Sequence, residues 1–455
     1  MRRVLLLLAL IPLGLWGIFA LPDILASNPA NFWEWRRPLI MLSGLLALWW
    51  MSSGMLLATR PSWLEQRFGG LDKLYRLHRN IGIGAGLLVL THWMIEWLPK
   101  NLAKAGWITA PVRQRGPRGE PEMWIDLAKD VGEWAGYILL ALVVIALVRR
   151  IPYRYFRLVH KGFGLVFLAG VFHGLILMPD TFWQSPLGWL TAAMAAAGIV
   201  PALLSLSNRI GRNRQHPAQI VSINQHEGKL LEIVCRPTEG WPGHRAGQFL
   251  FANFGQRGEG AHPFTIASAW NPQDGTLTLA IKALGDFTSK LPVLVQPGQM
   301  FLLEGPYGSF DFSPSGQVDR APQEAPLGFN KLSDHQVWIA GGIGITPFLA
   351  RLNELANADG KKPANADLFY CTPDSTTGEF PAQLEALCQS AGVRLHRRLT
   401  ERDGPLSSQE VTSTLQAGSS VWFCGPAAWG KSLGKALHNG GLSRAAFHQE
   451  AFEFR

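Results

Sequence analysis

Residues 74–94 read LYRLHRNIGIGAGLLVLTHWM, and residues 156–175 read FRLVHKGFGLVFLAGVFHGL. Both runs are apolar enough to belong in a bilayer, and each carries a histidine towards either end. An ionisable group in hydrocarbon is costly and usually has a function or a partner. A helix-to-helix hydrogen bond accounts for one such histidine taken alone, but two spaced pairs on two helices point further. At 1.5 Å rise per residue, His78 and His92 stand about 21 Å apart, and His160 and His173 about 20 Å apart. With both helices running the same way, His78 faces His160 at one depth and His92 faces His173 at the other. Imidazole is a good axial ligand for haem iron, so these pairs predict two haems stacked through the membrane. The helical phase is less simple. Fourteen steps return to within about 40° of the starting face, whereas thirteen end about 140° away. The second of these helices must twist, bulge or approach its haems from different sides, and Gly162, Gly164 and Gly170 offer places for it to do so. Phe167 lies between the two depths, either as a bridge or as a packing aromatic.

Around these runs, six apolar stretches predict membrane spans: 4–21, 39–58, 81–98, 134–148, 158–178 and 187–206. The fourth is short and is expected to start earlier. The first, behind Arg2 and Arg3, lacks a small-residue cleavage pattern and is read as a retained span rather than a signal peptide. Thirteen of the 18 tryptophans lie before residue 210, so the chain's near-neutral mean hydropathy averages two unlike halves. A purely soluble protein is excluded.

Six spans put both termini on one side, and the basic loops choose the cytoplasm. Arg60, Arg67, Lys73, Arg76 and Arg79 fall in one loop. Arg149, Arg150, Arg154, Arg157 and Lys161 fall in another, and Arg209, Arg212 and Arg214 follow the last span. The opposite-side stretch 100–131 holds six basic residues, offset in part by Glu120, Glu122, Asp126 and Asp130. The net charge of +9 therefore reads as a topology signal, and no nucleic-acid partner is expected. Expected instead is an integral protein of a bacterial-type inner or plasma membrane. The four cysteines, Cys235, Cys371, Cys388 and Cys424, contain no close pair, which argues against a zinc cluster or a disulfide framework.

After residue 214 the pattern changes. Short alternating runs at 219–224, 230–235, 248–254 and 276–281 predict antiparallel strands of a small barrel. A Gly-, Pro- and Ser-rich stretch from 309 to 333 separates it from an apolar strand at 337–340. That strand ends in GGIGITP (341–347) and opens into a helix at 348–356. Later strands at 366–371, 393–396 and 420–424 alternate with helical segments, the pattern of a doubly wound α/β sheet. A glycine turn between strand and helix lets the main chain approach a pyrophosphate. The predicted domains are 1–210 (membrane), 214–312 (barrel) and 333–455 (α/β).

The motifs HPFTIAS (262–268), GDFTS (285–289), GPYG (305–308), GGIGITP (341–347) and CGP (424–426) occur in this order. Their order resembles that of ferredoxin-reductase-type flavoprotein domains. Together with paired histidines spaced 14 and 13 apart on the third and fifth spans, the chain resembles the ferric reductase and NADPH oxidase superfamily over nearly its whole length. The resemblance implies two b-type haems held by His78, His92, His160 and His173, an FAD, and NADPH or NADH as donor. It places Phe264 by the flavin ring and the Thr265 hydroxyl near its reactive nitrogen. His262, Pro263 and Ser268 would help to hold FAD, and Gly285, Asp286, Phe287, Thr288 and Ser289 would take its pyrophosphate. Gly341, Gly342, Gly344, Thr346 and Pro347 would bind the nicotinamide nucleotide, with Cys424, Gly425 and Pro426 beside the nicotinamide. Phe452, or Phe454, would cover the flavin.

The function expected is a transmembrane oxidoreductase that takes hydride from cytoplasmic NAD(P)H and reduces an outer acceptor, either a ferric chelate or dioxygen giving superoxide. Glu96 stands where animal oxidases carry a further histidine four residues after the outer ligand. One alternative is an electron-supply module for a separate periplasmic redox protein. A proton path through the four histidines is another, and it predicts no haem absorbance. Cys371, Thr372, Asp374, Ser375 and Thr376 follow the strand where the 2′-position of the nucleotide is read. Hydroxyls there suit a phosphate and Asp374 repels one, so the coenzyme stays open, with the family's habit favouring NADPH.

Overall fold

A computed structural model describes residues 2–109, 123–148, 151, 153–256, 259–312, 335–357, 364–373 and 384–450. Among the described residues, six helices are long and apolar enough to cross a membrane: Arg2–Phe19, Phe32–Ala58, Leu71–Lys104, Met123–Leu147, Tyr155–Ile176 and Pro186–Leu206. Every predicted run overlaps one of them, three of the runs (4–21, 134–148 and 158–178) overrunning the helix end by one or two residues, and the chain is an integral membrane protein. The fourth span starts at Met123, well before the apolar run. Its first turns expose Asp126, Lys129, Asp130 and Glu133 while burying Ala128, and a charged turn of this kind suits the interfacial end of a span rather than its hydrocarbon part. The third has 34 residues and is therefore about 51 Å long, which carries it past the roughly 30 Å hydrocarbon core.

Small residues set the packing. On the sixth span, Ala195, Gly198 and Ala202 face Leu48 and Phe167, which is fully buried. A Cβ at Gly198 would stand 2.4 Å from the Phe167 ring, so glycine lets the aromatic in. Leu6, Leu87, Val144, Leu165 and Val200 are exposed on the outside of the helices, the surface that lipid would cover.

The other unit begins with an antiparallel sheet. Its strands are β1 (Gln215–His226), β2 (Leu230–Pro237), β3 (Phe249–Asn253), β4 (His262–Thr265), β5 (Leu277–Lys282) and β6 (Met300–Tyr307). Their order is β4-β3-β6-β1-β2-β5. Ile266, just past β4, bridges Leu279 of β5, so the sheet's two edges meet and it curls into a barrel. Inward residues alternate along the strands, for example Leu231, Ile233 and Cys235, each 2% exposed or less. The helix Asp286–Leu294 adds Phe287 and Leu291 to this core.

Five parallel strands follow: β7 (Gln336–Gly341), β8 (Ala366–Thr372), β9 (Val393–Leu399), β10 (Ser420–Cys424) and β11 (Phe447–Glu450). The order β11-β10-β7-β8-β9 makes this the predicted doubly wound sheet, with its switch point between β7 and β10. All seven residues of β8 are buried, as expected of a strand covered on both faces. At the amino-terminal edge, Asp367 accepts from both nitrogens of the Arg394 fork (2.9 and 2.6 Å), from His396 (2.8 Å) and from fully buried His335 (2.8 Å). Burial opposes ionisation of Asp367, but these three partners hold its carboxyl well below the usual range.

Candidate functional site

The third and fifth spans bring the four histidines together in the predicted pairs. His78 and His160 have ring centroids 5.9 Å apart, and His92 and His173 have centroids 6.2 Å apart. Metal–imidazole bonds of about 2 Å, plus a ring radius of about 1.1 Å on each side, put the centroids of two opposed ligands about 6 Å apart. The pairs thus fit a six-coordinate haem iron.

Three of the four rings are oriented by main chain. Nδ1 of His78 lies 3.0 Å from the Gly54 carbonyl oxygen, that of His92 3.0 Å from Ile40, and that of His173 2.7 Å from Ala128. A carbonyl only accepts, so each Nδ1 carries the proton and Nε2 keeps the lone pair that a metal needs. Ser43 also approaches His92 Nδ1, at 3.1 Å. His160 differs: its buried Nδ1 has no hydrogen-bond partner among the described residues, and the ring sits between Phe156 and Phe163, each 5.0 Å away.

The fifth helix runs without interruption over Tyr153–Ile176. No bulge absorbs the thirteen-residue spacing, so its two histidines leave on different sides. His173 turns towards the fourth span, where a Cβ on Gly132 would fall 1.9 Å from Nδ1. Phe167 packs against the second and sixth spans, as the packing reading expects. Glu96, one turn beyond His92, is clasped by Arg36 and Lys100. Arg36 also donates to the carbonyls of Ile95 and Glu96.

In the barrel, His262, Pro263, Phe264 and Thr265 form the edge strand β4, paired with β3 through Phe249 opposite Thr265 and Ala252 opposite His262. The His262 ring stacks on Phe287, with centroids 4.1 Å apart and planes 8° from parallel. HPFT and GDFTS are therefore one surface. Thr288 Oγ1 accepts from the amides of Leu284 (3.0 Å) and Gly285 (3.1 Å), fixing the turn that opens the helix at Asp286. Phe264 is half-buried beside Phe254, and Thr265 is buried. Ser268 Oγ accepts from the Thr278 amide at 3.0 Å, so it ties β5 to the segment after β4.

At the switch point, Gly341 ends β7, residues 342–345 turn, and Thr346 and Pro347 open the helix Thr346–Ala356. CGP closes on this turn from β10. A Cβ on Gly344 would stand 2.2 Å from the Cys424 carbonyl oxygen, and one on Gly341 3.0 Å from Pro426. Gly425 lies equally close, its own Cβ position being 3.3 Å from the Gly341 Cα. Ile343, within the turn, packs on the cluster of Leu230, Ala267 and Ala280, which sets the glycine turn against the segment following HPFT. Cys424 is fully buried. Burial, and then the Glu450 charge, push its thiol well up.

Glu450, opposite Cys424 in β11, is a buried acid that sequence reading passed over, because a lone glutamate near a chain end carries no motif. Gly132, Ala128 and Ile40 were also missed. Phe452 and Phe454, like Asp374, Ser375 and Thr376, lie outside the described residues.

Residues 43–171 match the family model of the ferric reductase like transmembrane component. Residues 215–311 match that of an FAD-binding domain. Among curated relatives, respiratory burst oxidase homolog protein B of Solanum tuberosum is 24% identical over 309 residues, covering 61% of this chain and 34% of that protein. A superoxide-generating NADPH oxidase heavy chain of Dictyostelium discoideum is 25% identical over 383 residues, 70% of each chain. The chain thus spans about a third of the plant relative. Among solved structures, flavohemoglobin from Malassezia yamatoensis aligns over 92% of this chain and 98% of its own, with 15% identity and a TM-score of 0.48. The FAD/NAD-binding domain of nitric oxide dioxygenase from Vibrio cholerae aligns over 52% and 97%, with 18% identity and a TM-score of 0.41. The chain thus carries a ferric-reductase-like transmembrane region leading into a stretch that matches an FAD-binding domain, and respiratory burst and NADPH oxidases are among the proteins it is similar to.

Proposed function

We propose that the protein is a transmembrane oxidoreductase that carries electrons from NAD(P)H, through FAD and two bis-histidine b-type haems, to an acceptor across the membrane. The observation that carries this reading is the two histidine pairs, at 5.9 and 6.2 Å, on helices of a chain that also holds flavin- and nucleotide-type turns. When bound, FAD takes up a hydride's two electrons and haem iron passes them singly. His78 with His160, and His92 with His173, would hold the haems.

The rest of the machinery orients and shields. Gly341, Gly342 and Gly344 let main chain come close to a pyrophosphate, and the first turn of the helix Thr346–Ala356 offers N–H groups to it. Thr346 and Pro347 start that helix, the proline needing no hydrogen-bond acceptor there. The stacked His262 and Phe287, with Gly285, Asp286 and Thr288, form the matching surface for FAD. Phe264 and the Thr265 hydroxyl serve its ring, and Pro263 and Ser268 brace the strand. Cys424, with its thiol protonated, presents a small uncharged wall beside the nicotinamide, backed by Gly425 and Pro426. Phe452 is the candidate cover for the flavin. The basic residues Arg60, Arg67, Lys73, Arg76, Arg79, Arg209, Arg212 and Arg214 support a cytoplasmic flavin and nucleotide side, with ferric chelate or dioxygen as the outer acceptor.

The test is an absorbance spectrum of the purified, FAD-supplemented protein in detergent, before and after anaerobic NADH or NADPH. A shifted Soret band with sharp b-type α-bands, abolished in the double variant His78→Ala, His92→Ala, is expected. Absence of haem from the purified protein would sink the reading. Subsequent addition of a ferric chelate or of oxygen, followed by reoxidation, separates the acceptors.

A further inference from the structure

At the carboxyl end of β8 the chain faces β9 with Cys371 opposite Arg398 and Thr372 opposite Leu399. In a doubly wound sheet, the strand beside the one bearing the glycine turn ends where the adenosine ribose lies. An acid there receives a 2′-hydroxyl, and an arginine receives a 2′-phosphate. Two bonds pull the segment after β9 onto this end. The Thr400 hydroxyl donates to the Thr372 carbonyl at 3.2 Å, and the Glu401 amide to that of Pro373 at 3.1 Å. Among the described residues, Glu401, Arg402 and Asp403 are therefore the charged groups that meet the ribose end, with Arg398 and Glu410 behind them.

The two arginines are already engaged. Arg398, only 20% exposed, donates from Nε to the Gly404 carbonyl and from Nη2 to that of Asp403, both at 2.8 Å. Its Nη1 binds the Glu410 carboxylate. Arg402 lies on the Asp403 carboxylate, at 2.7 and 3.1 Å. Arg397 turns away to Glu385. Ser407, and then Arg398, hold the Glu410 carboxyl below its ordinary range, and Arg402 does the same for Asp403, so both acids are charged at neutral pH. Among the described residues, two guanidinium groups thus stand against three carboxylates, those of Glu401, Asp403 and Glu410. A 2′-phosphate of roughly two negative charges would enter a net-negative place among the described residues, and it would have to draw Arg398 from Glu410, whose carboxylate would keep only its two bonds from Ser407.

We propose that this ribose end is built for a 2′-hydroxyl and that NADH, not NADPH, is the preferred donor. The assignment rests on the oxidoreductase reading above for where the nucleotide lies, and it departs from the coenzyme named in the relatives.

Calorimetric titration of the full FAD-loaded chain in detergent with ADP-ribose and with 2′-phospho-ADP-ribose tests it without relying on turnover. Tighter binding of ADP-ribose by about tenfold or more is expected. Equal or tighter binding of the 2′-phosphorylated probe would overturn the proposal. Glu410→Gln frees Arg398 and should improve binding of the phosphorylated probe severalfold. Should that variant fail to fold, Glu401→Gln, on the exposed segment, should move the ratio in the same direction. An unchanged ratio in the folded variant also counts against the proposal. Flavin bleaching by neither coenzyme would instead sink the oxidoreductase reading, while the binding ratio would still decide this one.

Discussion

His173 Nδ1 lies 2.7 Å from the carbonyl oxygen of Ala128, and the same turn of the fourth span presents Gly132 to the ring. A methyl group at 132 would sit 1.9 Å from Nδ1, so ring and side chain cannot coexist there. Gly132→Ala is therefore expected to displace His173 and to cost about half of the bound haem, because only one histidine pair is affected. The haem-to-protein ratio, determined by extraction, checks this. A ratio equal to that of the parent chain would refute the placement of His173.

The stack of His262 on Phe287 joins two motifs that are separate in sequence. Phe287→Ala removes a parallel aromatic contact and opens the barrel core beside it. FAD affinity should fall by about tenfold, read by flavin fluorescence, with haem content unchanged. Equal loss of FAD and haem would point to general unfolding instead.

Gly344→Ala places a Cβ 2.2 Å from the Cys424 carbonyl, and a main-chain atom cannot step aside as a flexible side chain can. The glycine turn must shift, and in the proposed role of that turn a misplacement of about 1 Å costs on the order of 100-fold in rate. Anaerobic flavin bleaching by NADH should slow by that order, while FAD binding, which resides in the barrel, persists.

Asp367 gives a pH dependence whose sign is fixed by its partners. Its carboxyl is held below the usual range in the folded chain, against about 3.9 when unfolded. Its contribution to stability is complete above the unfolded value and drains away as pH falls through and below about 4. Asp367→Asn removes the carboxylate that accepts from His335, His396 and the half-exposed Arg394 fork, at a cost of about 1 to 2 kcal/mol at neutral pH once solvent screening of Arg394 is allowed for. Thermal release of FAD, followed by fluorescence from pH 3 to 7, should show parent and variant converging at the acid end. A constant gap across that range would mean that another group carries the effect.

Much of this was legible because the costly residues announce themselves. Histidines in apolar runs marked the depth of both pairs, and the glycine turn after β7 marked the switch point of the parallel sheet. What stayed hidden depends on direction rather than identity. Helical phase left open whether the fifth span bends, and the uninterrupted helix shows that His160 and His173 leave on different sides. The start of the fourth span at Met123 was obscured because Asp126, Lys129 and Asp130 break the apolar pattern yet face outward. The stacking of His262 on Phe287 follows from barrel closure through Ile266 and Leu279, which no local pattern contains. Glu450 acquires its neighbour Cys424 only by parallel pairing of β11 with β10.

The acceptors of His78, His92 and His173 are the peptide oxygens of Gly54, Ile40 and Ala128. Every amino acid supplies that oxygen, so residue type at 40 and 128 can change without erasing the proton's address on the ring. Only a slide or rotation of the neighbouring helix can do that. The choice of which ring nitrogen keeps its lone pair is thus immune to most point mutations and exposed to mechanical ones: a thinner bilayer, a proline, or a shift in helix register would be felt at the imidazole rings before any substitution of an acceptor residue.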